Sequence, residues 1–282
     1  MARLHALLFF LLPPLLHGQA VPPAAHSELV LALQAIGTAA NDAGRDSASQ
    51  RVKQLLGDVL RSDSAMQARF AGVPITRVDA PDGAFRLFTW NVEQADGTFR
   101  YEGALLVAHN NGTELYELQD KTGQIARPES AQLNPGNWYG ALYYEVVPVK
   151  DGRKTYYTLL GWKGHSQVET RKVIDVLYLS GPTPRFGAPL FTTDNKRQSR
   201  KVYAYTAAGK MLLRWEPAYK SIVLDHLSPT VAELAGQPAF MAPDLSFDSF
   251  TWEKDRWQFH RDVDLRGPER GKPYHAPPKE QR

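Results

Sequence analysis

The sequence predicts a mainly β protein: an antiparallel, multi-stranded sheet body, sandwich or open barrel-like, behind an N-terminal helical segment. Three observations predict it. Helical spacing of apolar residues is confined to the stretch before Gly72. Beyond Val73, runs of strand length rich in aromatic and β-branched residues follow one another. Between those runs stand Asp82-Gly83, Asp96-Gly97, Asn111-Gly112, Asp151-Gly152 and Ala208-Gly209. Asp-Gly and Asn-Gly favour tight hairpins because both central residues tolerate positive φ.

The helical segment, residues 21–72, reads in three pieces. Ser27 is placed to cap a short helix carrying Leu29, Leu33 and Ile36 on one face. A polar stretch from Gly37 to Arg45 interrupts it. Ser47 and Gln50 then have capping-box spacing. Behind them Val52, Leu55, Leu56, Val59 and Leu60 recur at i, i+3, i+4, i+7 and i+8, the clearest helical pattern in the chain. Ser64 and Gln67 repeat the box before a last turn with Met66 and Phe70, and Gly72 suits the stop.

The body, residues 73–265, holds eleven strand-length runs: Phe85–Glu93, Phe99–His109, Glu114–Gln119, Leu142–Val149, Thr155–Trp162, Lys172–Leu179, Val202–Thr206, Met211–Glu216, Ser221–His226, Phe247–Trp252 and Trp257–Val263. Their short connections predict antiparallel neighbours, because a parallel crossover needs a dozen or more residues. Phe88, Trp90 and Val92 alternate with Phe85 and Leu87, so that strand is apolar on both faces and is expected to be covered on both. Trp257, Phe259 and Val263 alternate with polar residues, leaving the last strand one wet face.

The two ends carry different chemistry. Arg3, the apolar run from Leu7 to Leu16 and the small-x-small site Gly18-Gln19-Ala20 predict a signal peptide over residues 1–20, cleaved after Ala20. The run is too short to cross roughly 30 Å of hydrocarbon, so no transmembrane span is expected. The chain is therefore expected to be exported, periplasmic or secreted. It contains no cysteine, which excludes disulfides, thiolate metal sites and a lipid anchor on cysteine. With 43% hydrophobic and 22% charged residues the chain is not disordered in bulk. The net charge of +3 belongs to the tail, residues 266–282, where Arg266, Arg270, Lys272, Lys279 and Arg282 outnumber Glu269 and Glu280. The body is close to neutral, so nucleic-acid binding, which needs clustered basic residues on the folded part, is not expected. The Pro- and Gly-rich tail reads as flexible, with at most a weak, salt-sensitive contact to an anionic surface.

Specific catalytic motifs are missing. There is no phosphate-binding glycine loop, no H-E-x-x-H and no G-x-S-x-G. No cofactor and no metal are expected. The weak catalytic candidates are Asp225, His226, Asp244 and Asp248. A histidine with a nearby carboxylate is the core of a general-base pair. Asp225 and His226 are neighbours in a strand, however, and point to opposite faces. Asp244 and Asp248 bracket Leu245-Ser246-Phe247 at a spacing that suits an acid/base pair, but Asp entering a strand more often forms a turn. The weak ligand-binding candidates are Trp138, Tyr139, Tyr143 and Trp162, part of an aromatic belt that also includes Tyr144, Tyr156 and Tyr157. Such residues can stack on sugars, yet they also fill β cores, and core packing is favoured. Lys163-Gly164-His165 reads as an exposed turn with a solvated histidine. Asn111-Gly112-Thr113 fits a glycosylation sequon and equally a hairpin tip.

The blocks Trp138–Tyr144, Thr155–Trp162, Phe186–Phe191, Ile222–Pro229 and Pro243–Asp248 resemble those of an uncharacterised family of exported bacterial β-rich proteins, over about residues 73–266. The resemblance implies the same order of signal, helical segment and β body. It implies no activity, ligand or catalytic residue. The acidic-Gly-Asn turn that follows the Gly-Trp pair in such proteins is replaced here by Lys163-Gly164-His165. The expected function is that of a non-enzymatic envelope protein binding a ligand or partner through a β surface. The alternatives are a hydrolase acting on envelope or glycan material through the Asp/His group, and a structural accessory protein.

Overall fold

Residues 23–265, apart from 180, 182, 194 and 195, are described by a computed structural model. Residues 1–20, expected to be a signal peptide, and the basic tail from residue 266 lie outside the described residues. Helix α1 spans Pro23–Thr38 and α2 spans Asp42–Leu60. The body forms antiparallel sheets, as the sequence predicts. The first sheet runs β1 (Thr76–Asp79), β2 (Phe85–Glu93), β3 (Phe99–His109) and β4 (Gly112–Gln119), each beside the next. The second contains β5 (Leu142–Asp151), β6 (Lys154–Gly164) and β7 (Glu169–Tyr178), with β8 (Arg185–Phe186) on β7. The third contains β9 (Phe191–Thr193) and β10 (Lys196–Gln198). Strand β11 (Lys201–Thr206) returns to the second sheet as the outer neighbour of β7. The remaining strands, β12 (Leu213–Glu216), β13 (Ser221–Pro229), β14 (Met241–Glu253) and β15 (Arg256–His260), complete the third sheet in the order β10-β9-β15-β14-β13-β12. The pairing of β15 with β9 is parallel, an exception to the antiparallel expectation.

The layers follow from alternation along the strands. Phe88, Trp90 and Val92 of β2 join Leu29, Val52, Leu56 and Leu60 in a core between the helices and the first sheet. Phe85 and Leu87, on the opposite face, pack with Tyr143, Tyr157, Leu159 and Val173 in a core between the first and second sheets. Leu160, Ile174 and Val176 then turn to Ile222, Leu224, Phe250 and Trp257 in a core between the second and third. Double-sided apolar strands thus belong to layers covered on both faces. A bulge between Tyr143 and Glu145 shifts the parity of β5, so that Tyr143 and Val146 serve one core while Val147 and Val149 serve the other. Two buried hydrogen bonds tie layers together: Trp90 Nε1 donates to Ser49 Oγ (3.0 Å) and Trp257 Nε1 to Thr158 Oγ1 (2.9 Å).

The helical segment departs from its sequence reading at both predicted caps. Ser27 lies inside α1 and Ser47 inside α2. The N-cap of α2 is Asn41, whose side chain accepts from Gly44 N at 2.9 Å. Residues 61–67 form turns, in keeping with the last turn expected behind Ser64 and Gln67. Arg86, buried on β2, holds this stretch, its guanidinium donating to Ala65 O (2.6 Å) and Ala68 O (2.8 Å). A charged donor from the sheet takes carbonyls that a continued helix would have used. β1 was not among the predicted strands; four residues are too short to show a period.

Candidate functional site

The catalytic candidates of the sequence lie on the hairpin of β13 and β14, where the register shifts between Asp225 and Leu227. His226 sits in that irregularity and reaches diagonally across to Asp248, with Nδ1 2.8 Å from Oδ2. The other oxygen of Asp248 accepts from Asp262 N at 3.2 Å. Asp225 instead accepts from Leu212 N (2.7 Å) and secures the approach to β12. Asp244 accepts from the hydroxyls of Ser228 (2.5 Å) and Ser246 (2.7 Å), and these bonds hold its carboxyl down at about 2. Between Asp244 and Ser246, Leu245 adopts φ 75° and is 92% exposed. Of the four candidates, only His226 and Asp248 meet, and none lines the cleft described below. Ser228, the neighbouring hydroxyl, is bound to Asp244 rather than to the imidazole.

Of the aromatic candidates, Trp138 and Tyr143 are fully buried in the core between the first and second sheets. Trp162 is half-buried on the opposite face of β6, edge-on to Phe99 at 5.8 Å between ring centroids. Trp138, Tyr143 and Tyr157 are therefore core, the favoured reading, whereas Tyr144 is 38% exposed and Tyr156 and Trp162 are half-buried. Tyr139 differs: it is 1% exposed but forms part of a cleft wall.

That cleft is built on one row of the second sheet. In register, Lys163 of β6 faces Arg171 of β7, which faces Ala204 of β11. The row continues the face of Tyr157, Leu159 and Gly161, so Lys163 points inward at the end of an apolar column. Lys163 and Gly164 thus belong to buried strand, not to an exposed turn, and His165 is half-buried. The segment after β4 folds back over this row. Trp138 N donates to Gln119 O (3.0 Å) and Lys121 N to Trp138 O (2.9 Å), closing a loop whose ends meet. Asp120 fixes the closure by accepting from Tyr101 N, Thr122 N, Thr122 Oγ1 and Gly140 N at 3.1, 3.0, 2.5 and 3.3 Å. Only glycine fits at position 140, since a Cβ there would lie 2.4 Å from Tyr101 Cβ and 2.7 Å from Asp120 Cγ.

The closed loop receives the lysine. Lys163 is 2% exposed. Its Nζ donates to Gly140 O (2.6 Å) and Thr122 Oγ1 (3.0 Å), and lies 4.1 Å and 4.8 Å from the ring centroids of Tyr101 and Tyr139. Burial lowers its pKa to about 8, with Asp120 opposing the shift and Arg171 adding to it. The Tyr139 hydroxyl accepts from Arg171 at 3.0 Å, and its ring lies 5.5 Å from the Arg200 guanidinium carbon. Three cations therefore surround one phenol. Its pKa is raised by burial, against which Arg171 and Arg200 pull. Arg171 is balanced by Glu169 (2.5 Å) and Arg200 by Asp175 (2.7 Å), the latter pair wholly buried and joined by the Tyr143 hydroxyl at 2.9 Å. Arg200 also donates to Pro128 O (2.6 Å), which pins the cleft's outer loop to the sheet, while its second terminal nitrogen has no partner among the described residues.

The cleft above this floor has a volume of about 750 Å³, within the range of small-molecule sites. Its charged lining consists of Arg127, Arg171, Arg197, Glu129 and Glu169, with His165. Both carboxylates are engaged: Glu169 by Arg171, and Glu129 by Gln198 Nε2 (2.7 Å) and Lys201 Nζ (3.9 Å). The guanidinium groups of Arg127 and Arg197 make no hydrogen bond or ion pair among the described residues, although the Arg127 carbonyl accepts from Ser130 and Ala131. The His165 pKa is lowered, first by burial and then by Arg171 and Lys163, with Glu169 opposing. Ile125, Pro128, Val202 and Pro238 supply apolar wall. Among the described residues no group of three His, Asp or Glu side chains is placed to hold a metal ion, and no helix is long and apolar enough to cross a membrane. The arrangement supplies fixed positive charge and a phenol at the base of a recess, which suits holding an anion.

Comparison of the chain with protein-family models, with curated proteins and with solved structures finds no match.

Proposed function

We propose that this is an exported cell-envelope protein of the family its sequence blocks resemble, that it binds a ligand through its β body without turning it over, and that the ligand is a small anion received in the cleft beside Tyr139. One observation carries the proposal: Arg127 and Arg197 line the cleft without a carboxylate partner among the described residues, while Glu129 and Glu169 are already engaged. A charge-assisted hydrogen bond contributes about 1.5–3 kcal/mol, so each arginine is expected to contribute a factor of ten or more to affinity. Calorimetric titration with phosphate, sulfate and a short dicarboxylate, at low and moderate salt, tests it. Saturable binding that weakens at least tenfold in the Arg127→Ala/Arg197→Ala variant, with its melting temperature unchanged, is the expected result. No saturable binding by any anion, or binding indifferent to both substitutions, would overturn the proposal.

The second reading, a hydrolase acting on envelope or glycan material, draws on the 2.8 Å pairing of His226 with the buried Asp248, which orients an imidazole as a general base requires. Turnover of chromogenic ester or glycoside substrates that disappears in His226→Gln would favour it over the binding reading.

A further inference from the structure

We infer that the anion is an amphiphile, one acid group on an apolar alkyl or aryl body, an inference that rests on the anion reading above. The cleft wall combines two arginines whose guanidinium groups have no partner among the described residues with apolar surface from three separate elements: Ile125 and Pro128 in the loop after β4, Val202 on β11, and Pro238 in the short 3₁₀ turn Pro238–Phe240. A hydrated inorganic anion would satisfy the arginines and leave that surface wet, whereas an apolar body on the same ligand removes it from water. A sugar is a poorer fit. Tyr139 is almost wholly covered and its ring is flanked by Lys163 and Arg200, so it offers no open face for stacking. A nucleic-acid strand is a poorer fit too, because the folded body carries no net basic charge to attract one.

Titration of the full-length protein with straight-chain carboxylates of two to ten carbons, each kept below its micelle limit, tests the inference. The alkyl phosphates of equal length form a parallel series. Burial of one methylene contributes about 0.8 kcal/mol, so Kd is expected to fall about fourfold per carbon until the wall is covered, then to level off. Ile125→Thr/Val202→Thr is expected to flatten that slope while leaving the affinity for acetate or phosphate unchanged. Arg127→Ala/Arg197→Ala is expected to weaken every member of both series by a similar factor. Circular dichroism of both variants checks that they remain folded. Anionic vesicles provide the remaining arm: competition by monomeric octanoate assigns the site to free amphiphiles, and vesicle binding that octanoate cannot displace assigns it to a membrane lipid. Equal affinity across the chain-length series would overturn the amphiphile inference and leave the anion reading standing. Absence of binding by all members would overturn both.

Discussion

Lys163 concentrates the residue-scale energetics of this protein. Its ammonium is held by a carbonyl, a hydroxyl and two phenol rings, with no carboxylate in direct contact among the described residues. Unfolded, the amine has its ordinary pKa of 10.5; folded, burial brings it to about 8. Below pH 8 both states carry the proton, and the folded state bears the full cost of burying the charge. Between pH 8 and 10.5 the folded state releases the proton first, so stability rises with pH across that window. Relative to Lys163→Met, which does not titrate, the wild type is expected to gain up to about 3 kcal/mol between pH 7.5 and 10.5. Urea unfolding of both proteins at half-unit intervals measures this. A difference that stays flat across the window would show that the amine reaches water. The position is legible in part from sequence, because Tyr157, Leu159, Gly161 and Lys163 continue one alternating face. The reading of Lys163-Gly164-His165 as a turn ends that face too early. What places the amine there is the closed loop around Asp120, sequence-distant from it.

At the scale of elements, charged and polar side chains from elsewhere decide where helices and strands begin and end. The Ser47–Gln50 spacing imitates a helix start, but the helix extends back to Asn41 because that side chain satisfies Gly44 N. Asn41→Ala is expected to cost about 1 kcal/mol, whereas Ser47→Ala, on an exposed helical site, stays within about 0.5 kcal/mol of the wild type. Chemical-denaturation midpoints of the two variants separate the alternatives; a larger loss from Ser47→Ala would move the cap back to the serine. The last turn expected behind Ser64 and Gln67 forms, and Arg86 from β2 holds its carbonyls, a contact of tertiary structure. On β13 and β14 the shift at His226 turns Asp248 toward the imidazole and pushes Leu245 into solvent at positive φ. Local spacing places Asp244 and Asp248 together as a pair, yet the ladder assigns them to different partners.

Across the whole molecule the middle sheet couples the rest. Strand β6 sends Tyr157 and Leu159 into one core and Thr158 and Leu160 toward the other, so neither core can open without disturbing that strand. Trp257→Ala removes the largest fully buried side chain of the third sheet and its bond to Thr158. A loss of about 3–5 kcal/mol is expected, in one transition seen alike by far-UV circular dichroism and by tryptophan fluorescence. Two separated transitions would show that the third sheet unfolds on its own.

The β class, the hairpin turns and the boundaries of Phe85–Glu93 and Phe99–His109 are readable from sequence because they rest on local properties: alternation with period two and the tolerance of Asp-Gly for positive φ. The burial of Tyr143 is readable for the same reason, since large aromatics in double-sided strands have few places outside a core, whereas Trp138 is buried by the segment after β4 that folds back. The cleft is not. Arg127, Lys163, Arg171, Arg197 and Arg200 share no motif and no spacing, and they converge only when β11 crosses back to β7 and the loop after β4 closes over the second sheet. Periodicity reports which face a residue takes on its own strand. It carries no information about which strand lies beside it, and the site is made of that pairing.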